Sequence, residues 1–210
     1  MRQLILILAL LTLPALATAG AQKYEPLSDS VRGALSRSIA DQAPPTSSFR
    51  TPIDAIAWMT EMSRRLERRI PNRDSRHEFL RAVHYEATRA GLDPQLVLGL
   101  IQVESGFKKY AVSSAGARGF MQVMPFWVKL IGRSDDNLFH LRTNLRYGCT
   151  ILRHYLDIEK GDLFRALGRY NGSLGRAEYP NLVHGAWQKQ WSYTNTREAV
   201  ITQREPAAAL

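Results

Sequence analysis

The sequence predicts an all-α (mainly α) fold. Three observations carry that expectation. Apolar residues recur at three- and four-residue steps from residue 51 onward, helix start and stop residues punctuate those runs, and no stretch alternates apolar and polar residues as a strand would. Residues 51–195 are expected to form one helical domain, with 51–90 as a lead-in and 91–180 as the core that carries chemistry. Residues 20–50 read as a flexible leader, polar and containing "APPTSS", and 196–210 as a tail.

The elements run in order along the chain. "TPIDAIAWMTEMSRRLERRI" starts with Thr51 as N-cap and Pro52 at the first helical position. Ile53, Ile56, Met59, Met62, Leu66 and Ile70 form its expected apolar stripe. "DSRHEFLRAVHYEATRAG" turns Phe79, Leu80, Val83 and Ala87 inward and stops at Gly91. Asp93-Pro94 opens "PQLVLGLIQVES", which is apolar nearly all round and is therefore expected to be central. A short helix comes next in "MQVMPFWVKLIG", ending at Gly132, and a longer one in "LRTNLRYGCTILRHYLDIEKG", ending at Gly161. "DLFRALGRYNG" is capped by Asp162 and stopped by Gly172, and "YPNLVHGAWQKQW" is the last.

The N-terminus, "MRQLILILALLTLPALATAGAQ", has one arginine, an apolar run and then small residues, the layout of a secretory signal peptide over residues 1–19, with Ala21 as the second choice of cleavage point. A membrane anchor is the alternative, but the apolar core before Pro14 is about 10 residues, against roughly 20 needed to span a bilayer. The expectation is a periplasmic or secreted protein with no stable membrane insertion after cleavage. The single cysteine, Cys149, excludes an internal disulfide and lies at helical spacing from Leu145, Leu152 and Leu156, as a buried core residue would. The formal net charge of +9 favours polyanionic partners, of which nucleic acid is the least available to an exported chain.

Several familiar sites can be set aside. His77-Glu78 starts a zinc-protease pattern, but the next histidine, His84, lies about 10 Å along a helix, too far to share one metal. No metal or other cofactor is expected. "GSLG" lacks the spacing of a serine-nucleophile elbow, and neither a phosphate-binding loop nor a basic recognition helix is present. Glu104 remains. A glutamate at a helix end is commonly a solvated or salt-bridged residue, but Leu96, Leu100 and Glu104 share one face, which puts this carboxyl among leucines. Burial and the negative end of the helix dipole both raise its pKa, as a general acid requires. The loop after it, with Ala111, Ser113, Ser114, Ala115, Gly116 and Ala117, leaves room for a bulky substrate.

The same residues carry a family resemblance. Glu104-Ser105, then Ala111-x-Ser113-x-x-Gly116-Ala117-x-Gly119, then Phe120-Met121-Gln122 and later Tyr170-Asn171-Gly172 resemble the catalytic core of bacterial soluble lytic transglycosylases, lysozyme-like enzymes that cut peptidoglycan. The similarity covers roughly residues 90–180. It departs at Phe120, where leucine is usual, and at Arg169, where alanine is usual. The resemblance implies that Glu104 is the sole catalytic acid and base, and that Ser113, Gln122 and Met124 line the sugar site. By the same resemblance Tyr170 would reach Glu104 or substrate, and Asn171 would brace a turn. It further implies cleavage of the MurNAc–GlcNAc β-1,4 bond of peptidoglycan glycan strands without water, giving 1,6-anhydro-N-acetylmuramic acid ends. Asp135 and Asp136 read as caps of the turn before "NLFHL" instead of as a second catalytic acid. Trp187 and Trp191 suit core packing or sugar stacking. The alternatives are a goose-type-like muramidase of the same fold, a peptidoglycan-binding assembly protein, and a membrane-directed basic effector. An envelope-complex partner is unspecified.

Overall fold

The computed structural model describes residues 22–40 and 48–194. The signal peptide at 1–19 and the tail at 196–210 lie outside the described residues. Among the described residues eight α-helices succeed one another: α1 Asp29–Ala40, α2 Pro52–Leu66, α3 Arg73–Arg89, α4 Pro94–Ser105, α5 Phe126–Ile131, α6 Leu141–Ile158, α7 Leu163–Asn171 and α8 Glu178–Ala186. A π-helical turn, Trp187–Trp191, continues α8. Among the described residues the only β-structure is two isolated bridges, Val112 to Arg118 and Arg118 to Val123. No described helix is long and apolar enough to cross a membrane.

Helix α4 is central because its residues leave no polar face to turn outward. Leu96, Val97, Leu98, Leu100 and Ile101 are all buried, against α3, α8 and the π-helical turn. Asp93 starts it by accepting from the Gln95 N–H (2.7 Å), and Gly106 ends it in the left-handed conformation (φ 56°). Close approach of backbones fixes Gly99, where a Cβ would stand 2.9 Å from the Trp187 nitrogen. Helix α6 packs on α3, α7 and α1, and Cys149 is buried and free within it, its thiol pushed up by burial. Asp162 and Gly172 bound α7 where the sequence places them, with Gly172 at φ 74°.

Two sequence expectations change. The segment 20–50 is not wholly an unstructured leader, since α1 lies within it and packs on α5 and α6. Leu27, Val31, Leu35 and Ile39 recur at four-residue steps and face the core, a stripe diluted in the sequence by serines, arginines and Gly33. The stripe expected of α2 holds from Met59 onward, with Met59 and Ile70 packed against the core, and fails at its start. Ile53 and Ile56 are exposed, while Trp58, Met62 and Leu66 are buried. Helix α2 packs on α3 and the π-helical turn, and Trp58 lies edge-on to His84 of α3 with ring centroids 4.9 Å apart.

Candidate active site

Glu104 occupies the last turn of α4 and is only 5% exposed. Its Oε1 accepts a hydrogen bond from the Tyr179 hydroxyl, and its buried Oε2 has no hydrogen-bond partner among the described residues. Burial pushes the carboxyl up to about 8, against the lowering effect of the Tyr179 hydrogen bond. Tyr179 is itself buried in the first turn of α8, its pKa pushed well up by burial and by Glu104. Asp135 and Asp136 are occupied elsewhere. Asp135 pairs with the Arg133 guanidinium, and Asp136 accepts from the Arg133 N–H (3.0 Å) and the Tyr147 hydroxyl (2.6 Å), so it is Asp136 that caps that turn. Among the described residues no group of three or more His, Cys, Asp or Glu is placed to hold a metal ion.

The loop after α4 is tied back to it. Ser105 Oγ donates to the Phe120 carbonyl at 2.7 Å, joining the end of the helix to the end of the loop. Ser113 and Ala117 exchange backbone and side-chain bonds: Ser113 N–H donates to the Ala117 carbonyl (3.0 Å), and Ser113 Oγ accepts from the Ala117 N–H (3.1 Å). Gln122 turns its amide into the loop, Nε2 donating to the carbonyls of Ala111 (3.1 Å) and Gly119 (2.9 Å). It does so from a left-handed backbone conformation (φ 48°) that non-glycine residues seldom adopt. Gly119 is required at its own position, where a Cβ would come within 2.6 Å of the Leu138 carbonyl.

Two buried side chains grip Met121 from opposite sides. Asn144 on α6 accepts from the Met121 N–H (2.8 Å) and donates to the carbonyls of Arg118 and Leu138 (both 2.8 Å). Tyr170 on α7 donates to the Met121 carbonyl at 2.8 Å. Tyr170 is fully buried and spends its hydroxyl on that bond, so the tyrosine that touches Glu104 is Tyr179. Asn171 donates to Ser173 Oγ (3.0 Å) beside the turn after α7. Ser113 and Met124 are half-buried on the loop and just beyond it. The structure thus gathers Glu104, the 105–124 loop and Tyr170 in one region, with Asn171 at its α7 edge.

Sequence reasoning misses Tyr179 and Asn144. "AEYPN" carries no local signal, and the contact to Glu104 spans 75 residues. Asn144 is legible only as a polar residue on the apolar side of α6, where it is fully buried. The two departures from the family pattern have separate explanations. Phe120 packs on Phe79 of α3 with ring centroids 4.9 Å apart. Arg169 pairs with Glu159 and with Glu25 at the N-terminal end. Trp191 belongs to the core, its indole N–H donating to Gln102 Oε1 (2.9 Å).

Residues 81–189 match the family described as the Transglycosylase SLT domain. The chain belongs to that family. The SLT match begins inside α3 and ends within the π-helical turn, so α1 and α2 precede the matched span. Similar proteins include a transglycosylase of Enterobacteria phage PRD1, 38% identical over 88 residues, which are 42% of this chain and 32% of that protein. They also include the membrane-bound lytic murein transglycosylase C of Yersinia pestis (strain Pestoides F), 33% identical over 124 residues, 50% of this chain and 35% of that one. The protein of the same name from Actinobacillus pleuropneumoniae serotype 5b (strain L20) is 50% identical over 48 residues, 23% of this chain and 13% of its own length. The SLT chain thus spans about a third or less of each of these relatives.

Proposed function

We propose that this SLT-family chain is a peptidoglycan lytic transglycosylase that cleaves the MurNAc–GlcNAc β-1,4 bond and leaves 1,6-anhydro-N-acetylmuramic acid ends, acting in the periplasm or after secretion. The observation that carries the reading is Glu104: a buried carboxyl raised to about 8, one oxygen held by Tyr179 and the other unpartnered. Such a group keeps its proton at neutral pH and is poised to deliver it. The names of the similar proteins support the same reaction class.

The chemistry then needs one acid acting twice. Glu104 donates its proton to the glycosidic oxygen as the bond from C1 to that oxygen breaks. The N-acetyl carbonyl of N-acetylmuramic acid shares the positive charge left at C1. Glu104, now a carboxylate, accepts the proton of the same sugar's 6-hydroxyl while that oxygen bonds to C1, which restores the acid and consumes no water. Tyr179 serves the second half, since its hydrogen bond stabilises the carboxylate that the first half produces. A water-using muramidase needs a second carboxylate across the sugar, and Asp135 and Asp136 are committed to Arg133 and Tyr147.

Digestion of purified peptidoglycan, with the released muropeptides weighed by mass spectrometry, tests the reading. Wild type should release products one water lighter than reducing muropeptides, and Glu104→Gln should release none. Reducing ends from the wild type would establish hydrolysis in its place.

A further inference from the structure

Gln22 lies outside everything assigned to the SLT site, yet it is 3% exposed and bonded to that site's backbone. Its Nε2 donates to the Gln122 carbonyl at 3.1 Å, and its Oε1 accepts from the Met124 N–H at 3.0 Å. The Gln122 carbonyl and the Met124 N–H flank Val123, whose own C=O and N–H pair with Arg118, so the two turn to the other side together and can bind an amide that offers one donor and one acceptor. The acetamido group of an N-acetylated sugar is such an amide. Gln122 and Met124 are also the residues expected to line the sugar site.

We propose that the Gln22 carboxamide occupies, in cis, the acetamido-binding pair of the sugar site, so that residues 22–26 are an intramolecular competitor that the glycan must displace. The proposal rests on the reading of the chain as a peptidoglycan transglycosylase. The segment is built to be held and released. Lys23, Tyr24, Glu25 and Pro26 are exposed and belong to no helix, whereas Leu27 packs on the core and leads into α1, which is docked on α5 and α6. Between Gln22 and that anchor, two side chains reach back to the domain. Tyr24 sets its ring edge-on to Phe126 with centroids 5.9 Å apart, and Glu25 accepts from Arg169 Nη1 at 3.0 and 3.2 Å. Arg169 is the residue that departs from the family's usual alanine, and this contact gives the departure a purpose. Four exposed residues outside any helix mark a segment of low local stability. An occupied subsite lowers apparent affinity by the fraction of molecules in which it is free.

The test compares the mature chain with its Gln22→Ala, Gln22→Glu and Glu25→Gln variants. Gln22→Glu keeps the size but sets an oxygen against the Gln122 carbonyl. On purified peptidoglycan, KM should fall roughly tenfold in both Gln22 variants, the order of two net hydrogen bonds no longer competing, and less in Glu25→Gln, with no fall in kcat. In a Glu104→Gln background, tetra-N-acetylchitotetraose titrated by calorimetry should bind more tightly once Gln22 is replaced. Hydrogen exchange at the Met124 amide should be fast in Gln22→Ala and slow again when the tetrasaccharide is added. Cleavage by the wild type with an unchanged or raised KM in the Gln22 variants overturns this proposal and leaves the transglycosylase reading standing. Tighter binding of a free stem peptide, but not of the tetrasaccharide, also overturns it. If no variant cleaves peptidoglycan or binds the tetrasaccharide, both readings fall together.

Discussion

Two buried glutamates show how differently one side chain is used within one helical core. Glu86, in the middle of α3, is fully buried and held by two guanidinium groups, Arg146 of α6 at 2.8 Å and Arg89 of its own helix at 3.0 Å. Glu104, at the end of α4, is nearly as buried and meets a phenol in place of any cation. A charge taken from water must be compensated, and at Glu86 two guanidinium groups supply the opposite charge. At Glu104 the compensation is withheld, so the proton stays. The same residue type is therefore a structural clamp in one place and a proton donor in the other, and the neighbours decide which.

Removing each carboxylate should move stability in opposite directions. Glu86→Ala leaves Arg146 buried without its partner and should cost about 3–5 kcal/mol in urea unfolding at neutral pH. A loss below about 1 kcal/mol would mean that the two guanidiniums are not relying on it. Glu104→Gln should stabilise. The folded carboxyl titrates near 8 and the unfolded one near 4.5, so between those values the folded state binds more protons and stability falls as pH rises. The substitution should therefore add on the order of 3 kcal/mol at pH 7 and nothing below about pH 4. Equal unfolding midpoints for the two proteins at both pH values would show that Glu104 is not held uncharged. Tyr179→Phe is the smallest change, about 1 kcal/mol for one hydrogen bond. Because that bond lowers the Glu104 pKa, its loss should push the alkaline limb of the pH–rate profile above about 8 and slow turnover. An unmoved limb would place Tyr179 outside the titration.

The sequence shows the setting of Glu104 more clearly than its partner. Its place on a leucine face is a matter of four-residue spacing within one helix, so burial could be read locally. Tyr179 reaches it from α8, and no local pattern predicts which of several tyrosines arrives. Tyr170, the motif tyrosine, fastens Met121 instead. The same distinction holds for the fold. Helix α7 is bounded where Asp162 and Gly172 put its ends, because capping is local chemistry. The buried face of α2 depends on which neighbours cover it, and there Ile53 and Ile56 mislead. Helix α1 is hidden in the sequence because its stripe of Val31, Leu35 and Ile39, with Leu27 just ahead of it, is one residue wide and set among polar residues.

The double grip on Met121 bears on how the protein would fail. Asn144 belongs to α6 and Tyr170 to α7, and both helices lie in the main core. The loop beside Glu104 therefore has no melting point of its own. Heat or denaturant strong enough to free it must first part α6 from α7, so inactivation and global unfolding should run along a single curve, with no folded but incompetent species accumulating between them.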